Sequence, residues 1–361
     1  MTDIGSNENA NTGTTEIREG HEINRESLSA WMRDNIPDFE GISDVRQFKG
    51  GQSNPTYKLL AAERNYVLRR KPPGKLLKGA HAIEREAKVL TCLGGTGFPV
   101  PQVYGLCEDE SIIGSPFYVM EMVDGRVIWD ASIPDVTNAE RAAMYDAMNE
   151  VIARLHCIDY TSIGLADYGR SGNFFARQID RWSRQYRDDV DAGRDETLER
   201  VIEWLRENIP AADDMTSIVH GDFRIDNMKF HATEPRVVAV LDWELSTLGH
   251  PGADFAYHAM MYRMPPHIVA GLSETNIAEL GIPTEEEYLA SYCRRTGRNG
   301  MPAYEYYLAF NFFRLAAIFH GIKGRVIRGN ASSAQARQRV QILPELVDLA
   351  WRQVVKAGRQ A

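Results

Sequence analysis

Three oxygen-bearing side chains stand out by type and spacing within residues 217–258: Asp222, Asn227 and Asp242. Four residues separate Asp222 from Asn227 in the run His220-Gly221-Asp222-Phe223-Arg224-Ile225-Asp226-Asn227. Asp242 follows the apolar run at residues 237–241. Carboxylates and amides are hard oxygen donors, the kind that Mg²⁺ takes one or two of at a time. A carboxylate can also accept the proton of an attacking hydroxyl. Phosphoryl transfer from a nucleoside triphosphate needs both: a divalent cation that offsets the phosphate charge and a base beside the nucleophile. The bland alternative is an Asp and an Asn that cap a turn, which the added Asp242 argues against.

The elements that must position these residues are short. Ile218-Val219 leads into the polar loop 220–227, and residues 237–241 lead into Asp242. Short β-branched runs that stop at a polar residue read as buried strands delivering a side chain at their ends. Thr233-Glu234-Pro235 is a turn signal between them. The expectation is a hairpin-like unit with Asp222, Asn227 and Asp242 gathered at one end.

Upstream, Gly50-Gly51-Gln52-Ser53-Asn54 lies between two strand-like runs, residues 44–48 and 56–60. Such a turn can lay backbone N–H groups over phosphates, although alone it reads as a hairpin turn. Tyr66-Val67-Leu68-Arg69 is the next strand, ended by Pro72-Pro73. Residues 81–93 read as a helix with Ile83, Ala87 and Leu90 on one face, and it carries Glu84 and Glu86. Further strands are expected at 100–104 and 115–120. Beyond residue 125 the pattern is helical, with helices at 138–155, 198–209, 284–292, 304–320 and 343–355. The 304–320 stretch is apolar on nearly all sides and must be buried. Arg314 within it requires a partner, and an acidic one is expected. Lys323, Arg325 and Arg328 follow and are either solvated or available to a phosphorylated substrate.

The 361 residues carry a net charge of -9, which gives no global basic field for nucleic acid. No apolar run approaches membrane-spanning length, and the N-terminus lacks a signal-peptide pattern. The four cysteines form no C-x-x-C pair and read as isolated buried thiols of a cytoplasmic chain. Residues 1–22 are polar and small, and an unstructured tail is expected there.

The loop 220–227 resembles the H-R-D-x-x-x-x-N catalytic loop of protein kinases, with Gly221 in place of Arg. H-G-D is the form written by the aminoglycoside phosphotransferase and choline kinase group. The resemblance covers about residues 25–355. The motifs G-G-Q-S-N, Y-V-L-R, H-G-D-F-R-x-D-N and D-W-E-L-S-T are most similar to the kinase-like region associated with acyl-CoA dehydrogenases. It implies an α+β, protein-kinase-like, two-lobed fold: a β-rich nucleotide-binding lobe at 23–123 and a helical lobe at 124–361 carrying the catalytic loop and substrate site. It implies Asp222 as base, and Asn227 and Asp242 on Mg²⁺. Arg69 stands where a phosphate-holding Lys is usual, positioned by Glu86, with the Ser53 loop over the phosphates of ATP. Met120 would line the adenine pocket, with Glu121 C=O and Val123 N–H on the base. Asp254 would brace the catalytic loop.

The implied activity is an ATP-dependent transfer of phosphate to a small-molecule hydroxyl, and the closest motifs point to a hydroxyacyl thioester of coenzyme A. That pattern also implies a functional link to an acyl-CoA dehydrogenase. Alternatives are an aminoglycoside- or choline-type kinase and a non-catalytic nucleotide-binding pseudokinase. A protein kinase is disfavoured because Asp242-Trp243-Glu244 replaces D-F-G and no A-P-E follows.

Overall fold

The computed structural model describes residues 13–49, 54–72, 82–170, 172–210, 215–268, 270–330 and 334–358. The chain forms two compact units whose limits interleave, rather than parting once near residue 123. The first unit holds residues through Val151, Tyr160–Tyr168 and Arg224–Ser246; the second holds Ile152–Asp159, Gly169–Phe223 and Thr247–Ala361.

The first unit is built on a six-stranded antiparallel sheet. Its order is Thr14–Thr15, Ile42–Phe48, Thr56–Ala61, Tyr66–Arg70, Phe117–Glu121, Val103–Cys107. Tyr57 and Leu59 alternate onto one face, as do Tyr66 and Leu68, and all four are buried with Phe117 and Val119. The helix Arg25–Asn35 closes that face with Leu28 and Met32, one turn apart. Its start is fixed by Asn24, whose side chain accepts the Ser27 N–H at 3.1 Å. Each fully buried side chain of this kind contributes about 1.5–3 kcal/mol. The helix Ile83–Gly94 buries Ile83, Ala87, Val89, Leu90 and Leu93, and with them Glu86.

Two expectations need correction here. Residues 13–22 are not part of an unstructured tail: Thr14 and Thr15 pair with Phe48 and Gln47, and the Arg18 N–H reaches Gln47 Oε1 at 3.0 Å. Composition cannot reveal a two-residue strand whose pairing is supplied by a partner edge. Nor do the runs at 218–219 and 237–241 pair with one another. Val237–Val240 pairs with Met228–Phe230, which in turn pairs with Arg126–Val127. Ser217–Val219 pairs with Thr247–Gly249 in the second unit.

The second unit is helical apart from that two-strand ladder. Its long helix Tyr304–Ile327 is buried along most of its length and runs past the expected end at His320, through Gly321 and Gly324. Phe175 stacks on Tyr307 with centroids 5.3 Å apart, and the Tyr306 hydroxyl donates to the Leu205 carbonyl at 3.0 Å. The helix Glu285–Arg295 opens with a reciprocal cap between Thr284 and Glu287. Of the cysteines, Cys107 and Cys293 are buried, Cys92 is half-buried and Cys157 is exposed, so the expectation of four buried thiols fails for two. Among the described residues, no helix is long and apolar enough to cross a membrane.

Candidate active site

A cavity of about 440 Å³ opens in the first unit. Arg69, Glu86, Met120, Glu121, Val123, Asn227 and Asp242, seven of the residues singled out from sequence, all line it. Ser53 lies outside the described residues.

Arg69 sits on the buried strand Tyr66–Arg70, where a cation is tolerated only if paired. Its Nε lies 3.0 Å from Glu86 Oε2, and its Nη2 lies 2.9 Å from Asp242 Oδ1 and 3.0 Å from Glu244 Oε2. Glu84 meets Lys71 instead, at 2.9 Å. Burial opposes the charge of Arg69, but Glu86 and Asp242 outweigh it, so the guanidinium is held more firmly protonated than usual. Burial pushes the Glu86 carboxyl up; Arg69 opposes the rise, and the nearby Asp242 and Glu244 carboxylates add to it.

Asn227 and Asp242 are tied through backbone: the Leu241 N–H donates to the Asn227 carbonyl at 2.8 Å. Trp243, fully buried, anchors the next step, its indole N–H donating to the Val240 carbonyl at 2.9 Å. Asp242 itself is left-handed, with φ 64° and ψ 63°. Asp tolerates that conformation better than most residues, though at a cost of about 1–3 kcal/mol. Gly125 leaves the Met120–Val123 segment with φ 154°, and a Cβ there would collide with the Phe230 carbonyl, so only glycine allows the two strands to meet. The Val123 carbonyl accepts from Lys229 Nζ at 2.7 Å.

Among the described residues the lining carries four carboxyl groups, on Glu86, Glu121, Asp226 and Asp242, against two cations, Arg69 and Lys229. That balance repels a triphosphate unless a divalent cation comes with it. The described residues hold no group of three His, Cys, Asp or Glu arranged for a metal. One carboxylate and one amide, Asp242 and Asn227, suit Mg²⁺, which keeps its other positions for water and phosphate oxygens.

Asp222 belongs to the second unit. The Tyr257 hydroxyl donates to Asp222 Oδ1 at 2.6 Å. Gly221 has φ 81°, and its N–H and that of His220 both donate to Asp254, to Oδ1 and Oδ2 respectively, each at 2.8 Å. His156 Nε2 lies 3.2 Å from Asp254 Oδ2, and its Nδ1 is 2.7 Å from the Tyr292 hydroxyl. Burial alone would raise the Asp254 carboxyl, but His156 and the loop outweigh it and hold it below its usual value.

Arg314 reaches the same loop by a route not expected from sequence. Its Nη2 donates to the Gly221 carbonyl at 2.6 Å, and its guanidinium lies 5.1 Å from the Tyr257 ring centroid and 5.8 Å from that of Trp182. Among the described residues no carboxylate pairs with it. A carbonyl and two ring faces replace the expected acid, because half-burial leaves part of its hydration in place.

Sequence reasoning missed Glu244, Lys229 and Tyr257. Glu244 had a signal, since it stands two residues beyond Asp242. Tyr257 had none, because its partner lies 35 residues earlier.

His258, on the helix Pro251–Ala259, packs edge-on against Phe223 and meets the Tyr288 hydroxyl at 2.7 Å. Burial lowers its pKa to about 4. A folded-state pKa below the unfolded value of about 6.5 means that stability is complete above pH 6.5. It is lost as pH falls toward 4, by about 3 kcal/mol from this group. His156 and His320 shift the same way. The urea midpoint is expected to fall across that window, and His258→Gln to flatten the fall; an unchanged slope in the variant would remove His258 as its source.

The family model described as "Phosphotransferase enzyme family" matches residues 44–307. The chain is 42% identical over 348 residues to acyl-CoA dehydrogenase family member 10 of Mus musculus, covering 96% of this chain and 32% of that protein. It is 42% identical over 326 residues to acyl-CoA dehydrogenase family member 11 of Rattus norvegicus, covering 89% and 42% respectively. The chain thus spans less than half the length of these relatives. Among solved structures, a candidate aminoglycoside phosphotransferase from Ralstonia eutropha superposes with a TM-score of 0.85 at 48% identity, over 93% of this chain and 99% of that one. A choline kinase from Cryptosporidium parvum gives 0.59 at 15% identity, over 90% and 97%. The shared fold is protein-kinase-like and α+β.

Proposed function

The chain belongs to the phosphotransferase enzyme family, and from that premise we propose that it moves the γ-phosphoryl group of ATP onto the hydroxyl of a small molecule. The observation that carries this reading is the cavity in which Arg69, Asn227 and Asp242 converge beside the Met120–Val123 edge. The adenine meets Glu121 C=O and Val123 N–H, with Met120 against the ring. Arg69, oriented by Glu86, and the loop at Ser53 steady the phosphates. Asn227 and Asp242 would hold Mg²⁺, which would supply the charge that offsets the triphosphate. Asp222 takes the proton of the acceptor hydroxyl as its oxygen attacks phosphorus, while Tyr257 holds that carboxylate in one orientation. Most of the catalysis is positioning and charge neutralisation.

The acceptor class favoured is a hydroxyacyl thioester of coenzyme A. Support comes from the relatives' names, which place this region in proteins of the acyl-CoA dehydrogenase family. A functional link to such a dehydrogenase goes with it. An aminoglycoside- or choline-type acceptor is the rival. The test is a coupled assay of Mg²⁺-dependent ADP release with hydroxyacyl-CoA, aminoglycoside and choline acceptors. Turnover is expected with the thioesters; turnover with choline or an aminoglycoside alone would reassign the acceptor. Absence of transfer to any acceptor, with nucleotide still bound, would favour a pseudokinase.

A further inference from the structure

A second concavity, a groove of about 750 Å³, runs along the helix Phe174–Asp188 in the second unit. That helix buries Phe175, Ile179, Trp182 and Tyr186 on one face. Beside this face, Arg177, Arg181 and Arg184 follow one another at spacings of four and three residues, so their side chains line up over successive turns. All three line the groove, with Gln185.

The row is costly as it stands. Elsewhere on the helix Arg187 meets Glu199, and Asp180 meets Arg206. At the far end of the groove Arg328 is matched by Asp189 and Asp191. Arg177 donates to the Arg170 carbonyl. Arg181 and Arg184 have no carboxylate partner among the described residues. Arg181 lies over the Trp182 ring, 5.2 Å from its centroid, and partial burial together with the Arg314 guanidinium holds its pKa below the usual value. Asp188 also lines the groove, so its described lining sets four arginines against two aspartates, and Asp189 is already engaged by Arg328.

Arg314 connects the row to the chemistry. Its guanidinium lies 5.8 Å from the Trp182 ring centroid and 5.1 Å from that of Tyr257, and it donates to the carbonyl of Gly221, the residue before Asp222. Arg314 is near enough to Arg181 to disfavour its charge, so the row and the loop that carries the base are linked within one unit.

We infer that Arg177, Arg181 and Arg184, with Arg314 at their inner end, form a binding site for a phosphate-type polyanion carried by the acceptor. This rests on the phosphotransferase reading above and specifies where the non-reacting part of the acceptor lies. Guanidinium forks suit phosphate oxygens, and spaced arginines suit more than one phosphate group. An acceptor that is itself cationic would be repelled by the same row.

The test uses the full chain saturated with Mg²⁺ and AMP-PNP, which fills the nucleotide cavity. Adenosine 3′,5′-bisphosphate and inorganic pyrophosphate are then titrated by calorimetry into this chain and into the double variant Arg181→Gln/Arg184→Gln. The variant is expected to bind the bisphosphate at least tenfold more weakly while its AMP-PNP affinity stays unchanged. Equal bisphosphate binding by both chains, or none by the parent at millimolar concentration, overturns the site. Binding of pyrophosphate without the bisphosphate assigns the row to free phosphate and overturns its role toward the acceptor. Failure of AMP-PNP to bind either chain instead counts against the nucleotide reading, and the bisphosphate titration still decides the fate of the row.

Discussion

An Asp222→Asn chain is expected to bind Mg²⁺-ATP as well as the parent and to transfer phosphate roughly 10²- to 10⁴-fold more slowly. The amide has the shape of the carboxylate but cannot accept a proton. It can still accept the Tyr257 hydroxyl at the oxygen that Asp222 offers at 2.6 Å, so the side chain keeps its orientation. The cavity with Arg69, Glu86 and Asp242 is lined by residues of the first unit, and Asp222 is not among them. Single-turnover rates and AMP-PNP titration separate the two effects. Full transfer by the variant would remove Asp222 as the base, and an equal loss of nucleotide affinity would recast it as a binding residue.

The second large effect is on folding. Asp254→Ala is expected to cost about 2–6 kcal/mol, the sum for two buried N–H donors left unmatched. The carboxylate accepts two successive backbone N–H groups, from His220 and Gly221, and lies beside His156. Its removal strands two buried donors, each costing about 1–3 kcal/mol when unmatched. It also frees the loop that carries Asp222, so activity should fall further than stability alone explains. Urea unfolding with parallel kinetics measures both. A variant that keeps its midpoint and loses only activity would show that the loop is held by its neighbours and not by Asp254.

The chemistry was more legible than the packing. Asp242 and Asn227 could be read because an oxygen donor set at fixed spacing is a chemical constraint, and both line one cavity with Arg69. The ladder partners were not legible. Met228–Phe230 and Thr247–Gly249 are three residues each, too short for a period to show, and Lys229 interrupts the first. The expected hairpin between 218–219 and 237–241 therefore gave way to two separate pairings. Arg314 shows the same limit: sequence reveals the cost of half-burying a cation but not that a carbonyl and two aromatic faces can offset it. At Arg181 and Arg184 the sequence shows only a run of charge, and that no carboxylate of the described residues pairs with them emerges only in three dimensions.

Arginine at position 69 has a chemical corollary. Lysine amines are the usual target of acetylation, whereas a guanidinium keeps its charge and its proton under any cellular condition. Activated acyl thioesters of the kind proposed as acceptor cap amines slowly, and the cation paired to Glu86 and Asp242 would be exempt. Lys229 is the one amine among the described residues of that cavity, and burial lowers its pKa, which leaves more of it in the nucleophilic form. Any such adduct would accumulate there, against the Val123 carbonyl, while the guanidinium beside Asp242 stayed intact.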